Sequence, residues 1–188
     1  DPRMGACAKK AFDENWIDAE PRKGKVGGAY DTSMLKVKQS RILSNFDGSY
    51  DSVSTLAHEL GHAYHDSVVM EMPALLSDYP MTVAETASIF AETIVFDAIL
   101  KDASDEEAVT LIESYVGSCA QVCVDILSRF YFERSVFEKR KDGELTPDEF
   151  TSLMIQAQEN SYGDAVVDKH ERMWEAKGHY YSSSFSFY

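Results

Sequence analysis

Thr55-Leu56-Ala57-His58-Glu59-Leu60-Gly61-His62 is the stretch on which the reading of this chain turns. Two histidines four residues apart, with a glutamate directly after the first, fit the pattern H-E-x-x-H. On a helix these histidines lie about 40° apart around the axis and roughly 6 Å apart along it, so both imidazoles can meet one ion. Zinc takes imidazole nitrogen at about 2.0–2.1 Å, and in catalytic sites it keeps three protein ligands and an open position for water. The stretch thus offers two ligands in His58 and His62 and a proton-accepting carboxylate in Glu59. One further ligand has to come from elsewhere.

The surroundings agree with a helix. Val53, Leu56, Ala57, Leu60, Ala63 and Tyr64 recur at spacings of three and four, which predicts a helix over 52–69 with Asp51 or Ser52 as its N-cap. Residues 20–50 carry turn chemistry instead: Pro21, Gly24, Gly27, Gly28 and Asp47-Gly48, with strands expected at 28–30 and 41–46. Beyond the motif, helices are expected at 82–101, at 105–140 as one long or two abutting pieces, and from 147 to about 158. Gly143 should end one of these and Thr146 cap the next, ahead of Pro147. The expected fold is mainly α, with a small β-sheet next to the active-site helix. Residues 1–188 read as a single catalytic-domain fragment, with a strand and turn region at 20–50 and helices over 52–188.

For the third ligand the acidic candidates are Glu71, Asp78, Glu85 and Glu92. His65 shares the face of His62, but its rise from His58 is about 10 Å, too far to share an ion without breaking the helix. It reads as a neighbour of the site or a surface residue. Glu85 falls in the first turn of the second helix, which could cross the first. Thr82-Val83-Ala84-Glu85 is also a capping-box pattern, so spacing alone leaves ligand and cap equally open. Glu92, seven residues on, could orient a ligating histidine or pair with a surface lysine.

Bulk properties narrow the function. With 32 acidic against 18 basic residues the formal charge is −14, and the basic clusters Lys9-Lys10, 22–25 and 139–141 are short and not interleaved with aromatics, which argues against nucleic acid. No apolar run approaches the roughly 18 residues of a membrane span, and no charged-then-apolar leader opens the chain. Cys7, Cys119 and Cys123 read as buried thiols of a reducing compartment, which makes a cytoplasmic location the expectation. The start at Asp1 and the aromatic close at 185–188 suggest a piece of a longer protein. Two rivals compete with an enzyme. Residues 142–149 copy the second half of a calcium-binding EF-hand loop, but Arg140 then stands where a ligand oxygen is required. The other rival is a non-catalytic helical scaffold holding a structural zinc site.

Beyond the motif itself, the chain resembles the oligoendopeptidase F and thimet oligopeptidase family of zinc metallopeptidases, most of all the oligoendopeptidase F branch. The resemblance rests on Ala11-Phe12-Asp13 through Tyr30, Arg41-Ile42-Leu43-Ser44-Asn45-Phe46, residues 55–62, Ala84-Glu85-Thr86-Ala87-Ser88, and His179-Tyr180-Tyr181 with Phe187-Tyr188, in that order. It implies a zincin-like catalytic domain with one zinc per chain, held by His58, His62 and Glu85, and with Glu59 as general base. It further implies that His179 and Tyr188, with Tyr181 as a weaker candidate, stabilise the developing oxyanion, and that the substrates are short peptides. Where the family's loop between that histidine and tyrosine often carries glycine, this chain has Ser182-Ser183-Ser184. The strand around Ile42 to Asn45 is expected to form a sheet edge that pairs with the substrate backbone.

Overall fold

Helix α1 (Pro2–Asp13) opens the chain for a local reason. The Asp1 carboxylate accepts from the Arg3 backbone N–H at 2.8 Å, and Pro2 occupies a first-turn position where no donor is needed. The sequence reading did not place this helix, since most of its residues face solvent and only Ala11 is buried. The computed structural model describes residues 1–182, and the side chains of all of these except 74, 81, 82 and 182. They gather in two units, Asp1–Asp105 and Glu106 onward.

In the first unit, β1 (Ile17–Asp18), β2 (Tyr30–Met34) and β3 (Gln39–Leu43) form a sheet in the order β1-β3-β2. β3 runs parallel to β1, with Ile17 opposite Ile42, and antiparallel to β2, with Tyr30 opposite Leu43. This corrects the expectation that Ile42 to Asn45 form an edge. Ile42 and Leu43 have strands on both sides, and the pairing toward β1 continues as Ser44 N–H and Phe46 N–H donate to the carbonyls of Asp18 and Ala19. The edge nearest the motif in chain order is β2. Its entry loop is tied down by two side chains. Lys25, its side chain 2% exposed, donates to the Ser44 and Asp18 carbonyls at 2.6 and 2.8 Å, and the Asn45 amide donates to the carbonyls of Val26 and Gly28.

Helix α2 (Tyr50–Val69) carries the motif. Its N-cap is Ser49, whose hydroxyl accepts from Ser52 N–H at 3.2 Å, rather than Asp51 or Ser52, which lie in the first turn. The turn at Gly48 (φ +87°) delivers Ser49 in the extended conformation that a cap needs, so the helix begins at Tyr50 rather than at 52 as periodicity suggests. Helix α3 (Met81–Asp102) has Pro80 at its N-cap position with no side-chain cap bond. Thr82 is therefore inside the helix, and the capping-box reading of Glu85 falls. Ala57 and Ala63 of α2 and Ala84 and Ala91 of α3 are buried, and these small side chains let the two helices pack closely. The approach is tightest at Gly61, where a Cβ would lie 2.7 Å from Ser88 Cα and 2.8 Å from the Ala87 carbonyl oxygen.

In the second unit, α4 (Asp105–Ala120), a π-turn (Gln121–Asp125) and α5 (Ile126–Lys139) form one continuous rod, followed by α6 (Pro147–Tyr162), α7 (Met173–Ala176) and α8 (His179–Ser182). Thr146 caps α6 in a full capping box with Glu149, with Pro147 at N1, as the sequence predicts. Phe132, Val136, Leu153, Met154, Ala157 and Tyr180 make the core between α5, α6 and α8. The π-turn is secured by polar partners: Tyr162 donates to Asp125 at 2.5 Å, and Arg129 pairs with the same carboxylate. Burial and, after it, the Asp125 carboxylate push the Tyr162 phenol up to about 12.

Two sequence expectations change here. Cys119 and Cys123 are exposed and only Cys7 is half-buried, all three as free thiols, because only Leu111 of α4 is buried among the described residues. The rod Asp105–Lys139 is also, by length and composition, long and apolar enough to cross a bilayer. Counting uninterrupted apolar runs misses it, since polar residues such as Ser114 and Gln121 break the run without lowering the average enough. The core helix of a soluble protein meets the same criterion when it is mostly buried, whereas the apolar stretch of this rod is largely exposed.

Candidate metal centre

His58 and His62 project from one face of α2, and Glu85 reaches them from the second turn of α3, which the bare backbone at Gly61 brings alongside. The two Nε2 atoms stand 3.2 Å apart, and Glu85 Oε2 lies 3.1 Å from His58 Nε2 and 3.5 Å from His62 Nε2. Three donors each about 2.0–2.1 Å from one ion at tetrahedral angles would be separated by about 3.3 Å. The triangle thus has the size that a zinc ion demands, and its two nitrogens and one carboxylate oxygen suit that ion's chemistry. Among the described residues this is the group of three that could hold a metal.

Glu92 sits two turns further along the same face of α3 and accepts from His58 Nδ1 at 2.5 Å, with Ser54 Oγ donating to its other oxygen. A proton held on Nδ1 leaves the Nε2 lone pair free to face a metal. Burial lowers the His58 pKa, but Glu92, Glu59 and Glu85 more than offset it and the net shift is upward. At His62 burial dominates and the shift is downward.

Glu59 lies on the neighbouring side of α2 and is 5% exposed. Burial raises its pKa, against the pull of His58 and of a bond from the Asp31 backbone N–H on β2. A carboxylate made more basic by its surroundings is the right kind of group to take a proton from water. His65 stays out of the triangle: its ring packs at a tilt against Tyr79 with centroids 4.5 Å apart, and its buried Nδ1 has no hydrogen-bond partner among the described residues.

His179 opens α8 in the second unit, directly before Tyr180. Tyr180 is 3% exposed and packs edge-on against Phe132 with centroids 5.3 Å apart, so the segment carrying His179 is anchored in that unit's core. Tyr181 is exposed, and its hydroxyl donates to the Trp174 carbonyl at 2.9 Å. Tyr188 lies outside the described residues.

The profile of Peptidase family M3 matches residues 3–188. The chain belongs to peptidase family M3. Within the family it falls in the oligoendopeptidase F branch: it is 33% identical to the chromosomal oligoendopeptidase F of Lactococcus lactis subsp. cremoris over 184 residues, 95% of this chain and 30% of that protein. It is 28% identical to the group B oligopeptidase PepB of Streptococcus agalactiae, again over 95% of this chain and 30% of the relative. The M3 chain thus spans about 30% of the length of these relatives. The fold matches a solved structure of PZ peptidase A with an inhibitor at TM-score 0.77 and 21% identity, covering 100% of this chain and 34% of that one. The mainly helical architecture with its small sheet is therefore that of M3 catalytic domains.

Sequence reasoning missed two features of this M3 site. Ser88, fully buried, donates toward Glu85, a relation the sequence hints at only through a serine three residues after an acidic ligand. Asp31 of β2 meets Asp66 of α2 behind Glu59. Burial first, and then Asp66, push the Asp31 carboxyl up to about 8, with Ser40 Oγ donating in the opposite sense. Because the folded state holds this proton while the unfolded chain releases it near pH 4, stability attributable to Asp31 declines between about pH 4 and pH 8. Asp31→Asn, which keeps a donor toward Asp66, should therefore raise the melting temperature relative to wild type at pH 8 and not at pH 4. Thermal unfolding at the two pH values checks this, and an equal shift at both would remove Asp31 as the titrating group.

Proposed function

We propose that residues 1–188 are a single catalytic-domain fragment of a cytoplasmic zinc metalloendopeptidase that hydrolyses peptide bonds in short oligopeptides. The observation that carries this reading is the His58, His62 and Glu85 triangle of about tetrahedral size beside a buried glutamate. A structural zinc takes four protein ligands. Three converge here among the described residues, which favours the catalytic over the scaffold reading.

His58, His62 and Glu85 would hold the zinc, which when bound supplies a Lewis acid and lowers the pKa of coordinated water toward about 7. Glu59 takes a proton from the attacking water, and its basicity matches that task. Glu92 keeps His58 in the tautomer that presents Nε2. His179 and Tyr188 donate to the carbonyl oxygen as charge develops on it, and Tyr181 could do so in a lesser role only by releasing the Trp174 carbonyl; removing one such donor typically costs about 10²–10³ in kcat. The free edge of β2, rather than 42–45, pairs with the substrate backbone, and main-chain pairing makes recognition tolerant of side-chain identity.

Elemental analysis of the full-length protein tests the proposal, together with cleavage of a quenched fluorescent oligopeptide. One zinc per chain is expected, with both zinc and cleavage lost in Glu85→Ala and cleavage restored to chelator-treated wild type by added zinc. Wild-type protein without zinc, or cleavage that survives its removal, would overturn the reading.

A further inference from the structure

We propose that Ser88 is a positioning residue that fixes the Glu85 carboxylate in its metal-binding orientation; this rests on the reading of His58, His62 and Glu85 as a zinc site. The Ser88 Oγ stands 2.9 Å from Glu85 Oε2 and 3.0 Å from the Glu85 carbonyl oxygen. A hydroxyl has one proton, so it donates to one of these at a time. An ionised carboxylate is the stronger acceptor, which directs the proton to Oε2.

Oε2 is also the atom that faces both imidazoles, at 3.1 and 3.5 Å. It has two lone-pair directions, and with Ser88 occupying one, the other points where His58 and His62 converge. Glu85 needs such a guide, because its side chain is 49% exposed and otherwise free to swing into solvent. Ser88 can act as one because it is itself immobile: it is fully buried, and its Cα lies where α3 is pressed against Gly61 of α2. Position is thus handed from α2 to Ser88, and from Ser88 to Glu85. The hydroxyl touches neither substrate nor zinc.

The test is zinc affinity of the full-length protein, measured by competition for Zn²⁺ with a chelating dye. Ser88→Ala should weaken binding about tenfold, the lower end of what loss of such an outer hydrogen bond costs. The melting temperature of the metal-free protein should stay unchanged, since alanine fits the space and is a good helix former. In a Glu85→Ala background, where His58 and His62 keep a weak affinity that is lost on purification but can be read by titration at high Zn²⁺, the same substitution should change affinity little, because the hydroxyl acts only through that carboxylate. A loss of equal size in both backgrounds would mean that Ser88 merely supports packing, and wild-type affinity in Ser88→Ala would overturn the inference. Ser88→Cys, a weaker donor of similar shape, serves the same comparison if the alanine variant does not fold. Wild-type protein that binds no zinc, or whose binding is indifferent to His58→Ala, would instead remove the zinc reading on which the inference rests.

Discussion

Glu59→Gln should lower kcat by about 10²–10⁴-fold, the span that general base catalysis usually covers, while one zinc per chain is retained. Glutamine keeps the shape of a side chain that is only 5% exposed, so packing on α2 is undisturbed. It also leaves His58, His62 and Glu85 untouched, so the triangle survives. What disappears is the ability to accept a proton. Burial raises the Glu59 pKa against the counter-pull of His58, and the Asp31 N–H holds the carboxylate without neutralising it. Single-turnover kinetics on a fluorescent oligopeptide, paired with elemental analysis of the same sample, separate the chemical step from metal binding. Turnover at the wild-type rate would exclude Glu59 as the base, and loss of zinc would mean that its role is structural.

Gly61→Ala should destabilise the protein, because Gly61 is the glycine at which an added methyl group meets other atoms within 4 Å. The new Cβ would meet Ser88 Cα at 2.7 Å, the Ala87 carbonyl oxygen at 2.8 Å and Ala91 Cβ at 2.9 Å. Two of the three are backbone atoms with no rotamer to retreat to, so α3 itself has to move. Overpacking of this kind costs about 1–3 kcal/mol, read as a melting temperature lowered by several degrees. Zinc binding should suffer as well, because α3 carries both Glu85 and Glu92, and the ligand triangle tolerates only a few tenths of an ångström. Melting of the metal-free protein and zinc competition on the same variant check the two halves. Wild-type values for both would show that the helices are looser than this contact implies.

The sequence made the α2 face legible because everything that defines it is local: His58, Glu59 and His62 are fixed relative to one another by helical spacing alone. Glu85 was a choice between two roles that spacing could not separate. The difference lies in where α3 begins, and Pro80 rather than Thr82 stands at the N-cap position. Glu92 was placed on the right face by the same period and meets His58 across the helix pair. The unread parts depend on partners distant in sequence. Nothing near Ile42 indicates that β1 will occupy one of its sides and β2 the other, and nothing near Asp31 announces Asp66 thirty-five positions on. The thiols of Cys119 and Cys123 look like core residues by composition, and only the packing of the rod reveals them as exposed.

The π-turn at Gln121–Asp125 acts on that rod as a phase shift. One extra residue in a helix rotates every side chain after it by about 100° relative to those before. The direction in which Phe132 and Val136 meet α6 is therefore set, several residues upstream, by how many residues the turn contains. This makes the segment sensitive to length rather than to identity. Polar exchanges at Gln121 leave the phase alone, whereas a one-residue deletion there would swing the aromatic face of α5 out of its core at a stroke. Among related chains, insertions and deletions should accordingly collect in the loops and leave this short stretch constant in length.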